Sequence, residues 1–134
     1  MATIKSYTDI KQSRKLAGIL PIESADMWWS RCTITDFGDG VLKVSYTVEP
    51  CNISQFRNTK EDIPCWSLAA LLSVLPMITK GEDTANPFIT KTPDNEYYVV
   101  YATFTKEVDS SGIYDNPVDA CYEVIIKLYE LKML

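Results

Sequence analysis

Apolar positions gather most densely between Pro64 and Pro76, in the run PCWSLAALLSVLP. Leu68, Leu71, Leu72 and Leu75 fall at i, i+3, i+4 and i+7, the spacing of one helix face. Ala69, Ala70 and Val74 make the remaining sides apolar too, so the pattern predicts a helix over 64–76 that is covered on most sides. Pro64 suits a first turn and Pro76 a stop. A second helix is expected over about 8–20. Ser6 or Thr8 would cap it, Ile10, Ser13, Leu16, Ala17 and Leu20 would form the stripe, and Lys11, Arg14 and Lys15 would face out. The third carries the strongest boundary signal. Asn116 caps, Pro117 takes the first helical position and Asp119 lies in the first turn. Val118, Cys121, Tyr122, Ile125, Leu128 and Tyr129 then supply the stripe, and Glu123 and Lys127 form an i, i+4 pair.

Between the helices the period changes to two. Residues 31–37 alternate loosely. Leu42, Val44, Tyr46 and Val48 alternate cleanly against Lys43, Ser45 and Thr47, and Phe37-Gly38-Asp39-Gly40 reads as the turn of a hairpin. Residues 88–90 begin another strand, Thr92-Pro93-Asp94-Asn95 is a turn with proline where its fixed φ helps, and Tyr97–Phe104 is an interior strand. Residues 49–63 show no period, residues 77–87 read as a polar connection, and residues 106–114 as a loop with Ser110-Ser111-Gly112 at its tip. The expectation is one α+β domain over residues 1–134, in the order α-ββ-α-ββ-α. An antiparallel sheet would pack against helices, with helix 64–76 buried at the centre.

Composition changes little in this picture. With 134 residues and 46% apolar content, a core can form without a staple. No apolar run reaches a membrane-spanning length, and the start lacks a signal-peptide core, so a soluble cytoplasmic protein without a membrane partner is expected. Charge is more informative. Residues 1–81 carry nine basic and eight acidic groups, and residues 82–134 carry four basic and ten acidic, within a net charge of −5. The one basic cluster, Lys5, Lys11, Arg14 and Lys15, reads as a solvated face, so nucleic acid is disfavoured as a partner.

The segments PCWSLAALLSVLP and DNPVDACYEVIIKLYEL, with the motifs PxWSLxALLxxLP and NPVDACxExIxxLxEL, resemble a family of small uncharacterised proteins of gut anaerobic bacteria and their phages or prophages. The start, SYTDIKQSRKLAGILPIESADMWW, is similar too. The resemblance implies a genomic setting and no catalytic residue.

The chain has no histidine, which removes Ser–His–Asp triads, Cys–His dyads and His-ligated metals. No phosphate-cradling glycine motif is present. Cys32, Cys51, Cys65 and Cys121 form no CxxC pair and suggest neither disulfides nor zinc; Cys65 and Cys121 read as core thiols. Cys65 could also be a low-pKa thiol at a helix start. Asp119 with Glu123, and Glu23 with Asp26, are the carboxylate pairs a small hydrolase would need. No cofactor and no metal are implied. The surplus of aromatics (Trp28, Trp29, Trp66, Tyr97, Tyr98 and Tyr101) favours a non-enzymatic binding or interaction protein, an accessory factor of a mobile element, that meets a protein partner or itself. Trp28, Trp29, Arg31, Phe56 and Arg57 are its candidate binding residues.

Overall fold

The computed structural model describes residues 5–35, 42–50 and 62–134, with the backbone alone at 31–35, 42–45 and 50. Among the described residues the fold is α+β, with three helices and two antiparallel sheets. The chain forms two compact units, Asp9–Trp66 and Met1–Thr8 with Ser67–Leu134. Phe56 and Arg57, and the expected turn at Phe37–Gly40, lie outside the described residues.

The unit Asp9–Trp66 opens with α1, Ile10–Ala17. Its cap is Asp9, where Ser6 or Thr8 was expected. The Asp9 carboxylate accepts from the Gln12 backbone N–H at 2.8 Å, and Gln12 reaches back to the Asp9 N–H at 3.1 Å, a reciprocal capping box. Ser13, Leu16 and Leu20 are buried as the stripe requires, whereas Ile10 is half-buried and Ala17 exposed. Lys11, Arg14 and Lys15 face water, and the last two lie in the final turn where the dipole favours cations.

The hairpin forms as expected, with β1 at Met27–Thr35 and β2 at Leu42–Pro50, in register from Met27–Pro50 to Thr35–Leu42. β1 begins earlier than the alternation suggested, because it also pairs on its other side. That partner is β3, Ile63–Cys65, and the order is β2-β1-β3. The run expected to be a single helix from Pro64 is therefore two elements. Pro64 lies in an edge strand, where its missing N–H breaks no ladder between two neighbours. β3 is buried throughout and packs against α1.

Trp66 follows β3 and is fully buried. Its indole N–H donates to Ser24 Oγ at 2.9 Å, and the Ser24 hydroxyl donates to the Pro21 carbonyl at 2.6 Å. A short 3-10 turn at Ile22–Ser24 holds that serine in place. The polar edge of a buried ring is satisfied in this way, at a point where the sequence showed only a prolyl turn.

In the other unit, Ser67 caps α2, Leu68–Val74, by accepting from the Ala70 N–H at 3.2 Å. The N-terminal segment runs alongside: Tyr7 bridges to Ser67, and the Leu68 N–H donates to the Ser6 carbonyl at 3.1 Å. Leu71 and Leu75 are buried, but Leu68 is half-buried and Leu72 is 37% exposed. The helix has one covered face, where the apolar composition suggested cover on most sides.

Four strands follow as a meander: β4 Ile78–Lys80, β5 Asp83–Lys91, β6 Tyr97–Ala102 and β7 Glu107–Ser110. The expected polar connection at 77–87 is thus a hairpin, whose two-residue loop places Gly81 at φ +67°. A primed turn of this kind matches strand twist, and its first position favours glycine. Charged Lys80, Glu82 and Asp83 disguise it in the sequence. Pro87 is tolerated within β5 because β4 pairs no further along it than Ala85. The 92–95 turn appears as read: the Asn95 N–H donates to the Thr92 carbonyl at 3.1 Å, and Asn95 takes φ +60°.

β6 is interior, as expected, lying between β5 and β7. The register puts Ile78, Ala85, Val99 and Tyr101 on one face, and all four are buried. The segment expected to be a loop after Lys106 contributes β7, displaced by a bulge at Tyr101/Ala102. Beyond β7 the pairing continues through a side chain. Ser111 Oγ accepts from the Val99 N–H at 2.8 Å, and Tyr97 and Tyr114 then exchange backbone bonds of 2.6 and 2.8 Å.

α3, Pro117–Glu130, touches both β6 and α2. Val118, Cys121, Ile125 and Leu128 are buried as predicted. Tyr122 is only half-buried and Tyr129 is 50% exposed, while Ala120 and Val124 are buried in their place. The covered stripe is rotated toward the smaller residues, which let the helix approach the sheet. A Schellman turn ends it: Lys132 sits at φ +57°, its N–H donates to the Tyr129 carbonyl at 3.0 Å, and the Met133 N–H donates to the Leu128 carbonyl at 2.8 Å.

Three substitutions test these backbone assignments by urea unfolding. Gly81→Ala should cost about 1 kcal/mol although nothing lies near its Cβ, because φ is positive. Gly112→Ala, with only ordinary contacts to Tyr114, should change stability by less than about 0.5 kcal/mol. Lys132→Gly should stabilise by about 0.5–1 kcal/mol by relieving a left-handed residue.

Candidate functional site

The carboxylate expected to do chemistry is held by structure. Asn116 Oδ1 accepts from the Asp119 N–H at 2.8 Å, closing the cap of α3. Asn116 Nδ2 donates to Asp119 Oδ2 at 2.8 Å and to Asp115 Oδ1 at 2.9 Å. Lys5 Nζ lies 2.8 Å from Asp119 Oδ1, a part-buried ion pair that ties the N-terminal segment to the helix start. Both Asp119 oxygens therefore have fixed partners, and the carboxylate serves the helix dipole and Lys5. Glu123, one turn on, is exposed. In the other unit Glu23 and Asp26 are also exposed. Among the described residues, no group of three or more Cys, Asp or Glu could hold a metal ion.

The thiols are also accounted for. Cys65 is a fully buried strand residue in β3, three positions before α2, and so not the helix-start thiol the sequence allowed. Cys121 is fully buried on α3, and burial pushes its thiol up to about 12. A thiol held protonated at neutral pH is a packing group, not a nucleophile. Tyr101 behaves alike. Its hydroxyl donates to the Pro76 carbonyl at 3.0 Å, and burial, with Cys121 adding to it, raises the phenol to about 12.

The aromatic candidates separate. Trp28 and Trp29 are adjacent on β1, so they face opposite sides of the sheet. Trp28 shares its register with Glu49 and Pro64, and Trp29 with Val48 and Ile63. Both rings are half-buried, and the two do not form one patch. Arg31 stands opposite Tyr46 in the ladder. Of the other aromatics, Trp66 and Tyr101 belong to the core, and Tyr97 and Tyr98 are half-buried on β6.

What the structure does bring together is a groove of about 480 Å³ beside α3, within the unit Met1–Thr8 and Ser67–Leu134. Ile78, Val99, Tyr101, Val124 and Leu128 line it with apolar surface. One wall is the end of β7 and the residues after it, Gly112 and Tyr114 among them. The other is the exposed edge of α3, with Glu123, Lys127 and Glu130. The Schellman turn closes the far end by folding Met133 back toward Leu128, and Leu131 and Met133 remain largely exposed there.

Asp109 completes the rim. It is the β7 residue opposite Tyr101, an exposed carboxylate on the sheet face that carries Val99 and Tyr101. One of its oxygens accepts from the Ser110 N–H at 2.8 Å. An inward charge of this kind also guards a sheet edge against stray pairing. The rim is thus three carboxylates against one ammonium. The Tyr114 phenol is raised by burial, then by Glu123 of the rim and by Asp119.

Of the binding residues chosen from the sequence, Trp28, Trp29 and Arg31 belong to the other unit, and Phe56 and Arg57 lie outside the described residues. One signal in the sequence does point to the groove. Glu123, Lys127 and Glu130 stand at i, i+4 and i+7, a polar line along one edge of an otherwise apolar helix.

These features define an antiparallel four-stranded meander with a capped helix on its buried face and a groove along that helix. The chain matches no family model, no curated protein and no solved structure.

The raised phenol and thiol give a pH dependence whose sign is fixed. The unfolded chain releases these protons near the ordinary 10.0 and 9.0, and the folded chain holds them to about 12. Their contribution is complete below pH 9 and is lost as pH rises toward 12. Urea unfolding across that range should show stability falling. Tyr101→Phe should make the fall shallower above pH 10, while costing about 1 kcal/mol at pH 7 for the lost bond to Pro76.

Proposed function

We propose that this chain is a non-enzymatic binding protein, a cytoplasmic accessory factor of a phage or prophage, and that a partner protein docks in the groove beside α3. The observation that carries this reading is the groove itself: an apolar floor, a polar rim and an exposed apolar end at Leu131 and Met133. Exposed apolar surface framed by polar residues is the usual form of a protein-binding site. The groups that a hydrolase would use support the same reading. Asp119, one of the carboxylates expected to act, is paired twice over. The resemblance of the two helical segments to phage-associated proteins supplies the genomic setting.

The basic residues support a protein partner over nucleic acid. Lys5 is engaged by Asp119, and Arg14 and Lys15 lie at the end of α1 where the dipole favours them. Among the described residues, no helix is long and apolar enough to cross a membrane.

The test is affinity capture from the native host with two baits. Lys127→Trp places a large ring at an exposed position on the groove rim and keeps its three carboxylates. An identified protein retained by the wild-type chain and lost by Lys127→Trp, with both baits melting at the same temperature, is expected. Equal retention by the two baits contradicts the proposal.

A further inference from the structure

The charge and length of the groove specify its occupant more closely. This step rests on the groove being the docking site. Asp109, Glu123 and Glu130 stand on its rim against Lys127, an excess of two negative charges. Glu123 and Glu130 are seven residues apart on α3, so they lie about 10 Å apart along one edge. A ligand that meets both must be elongated. The apolar floor at Val124 and Leu128 runs between these carboxylates and continues to exposed Leu131 and Met133. A compact small molecule in the groove would leave that exposed end uncovered.

We infer that the groove takes a basic, apolar-anchored segment of a partner protein. Apolar side chains of the segment cover Val124 and Leu128, and Lys or Arg residues about 10 Å apart meet Glu123 and Glu130. Asp109 on the opposite wall offers a third carboxylate to the same segment. Lys127, between the two glutamates, is left to a carbonyl or acidic side chain of the partner. A second copy of this chain fits poorly, because two such rims would bring like charges together.

Two short fluorescein-labelled amphipathic peptides supply the test. They share leucine at the apolar positions and carry lysine or glutamate at the polar ones. Anisotropy is read at physiological ionic strength, where loose long-range attraction is screened. The lysine peptide should bind saturably and the glutamate peptide should not. The double variant Glu123→Lys with Glu130→Lys should lose about tenfold or more in affinity. Asp94→Lys with Glu96→Lys makes the same charge change on the exposed 92–96 loop and should lose less than about twofold. Replacing leucine by serine in the lysine peptide should abolish binding.

Each contrary result overturns the assignment. These are no saturable binding, equal loss in the two double variants, equal binding of the two peptides, or indifference to the loss of leucine. Sedimentation showing a wild-type dimer that Glu123→Lys with Glu130→Lys dissociates would make the occupant a second copy and also overturn it. Circular dichroism melts confirm that each variant is folded, and Glu130→Lys alone, near the helix end, serves if the double variant is not. If the lysine peptide fails while Lys127→Trp still loses an identified host protein, the groove reading stands and only the charge assignment falls.

Discussion

The seating of α3 on β6 is the constraint on which the unit containing Ser67–Leu134 depends. A helix of this kind has four unsatisfied N–H groups at its start, and they must find partners before the apolar stripe can be buried. Asn116 and Pro117 settle that end, and Asp119 links it to Lys5. With the start fixed, Val118, Cys121, Ile125 and Leu128 turn inward while β6 presents Val99 and Tyr101. The Tyr101 hydroxyl then reaches the Pro76 carbonyl, joining the sheet to the residues that leave α2. Charge, hydrogen bonding and apolar burial thus meet within little more than three turns of one helix.

The same seating makes the groove. Small residues on the inner side of α3 allow the helix near the sheet at its start, and Val124 and Leu128 line open space further along. β7 stops short, and the chain beyond it is held by Ser111 and Tyr114 in place of a full ladder. The resulting wall carries Asp109 on the apolar face. One residue therefore both discourages edge pairing and sets the sign of the rim.

What the sequence made legible were the elements whose ends are marked by side chains. α3 could be read because Asn116, Pro117 and Asp119 each act within four residues, and the 92–95 turn because Pro93 and Asn95 suit its φ values. The run at Pro64–Pro76 misled because apolar content cannot distinguish a buried strand from a buried helix. Ser67 was the overlooked sign, a capping hydroxyl in the middle of the run. β4 and β7 were hidden for the opposite reason. Edge strands are short and charged by physical necessity, so they look like loops. The groove was hidden because its parts lie far apart in sequence, and Asp109 meets Glu123 only after the meander and α3 are in place.

Native-state hydrogen exchange tests the seating of α3 most directly. If β6 and α3 hold each other, the amides of residues 99–101 and 124–128 should be the slowest in their unit and exchange together, with one common free energy of opening. Rapid exchange along 124–128, while the β6 amides stay protected, would mean that the sheet stands without the helix, and the account would be wrong.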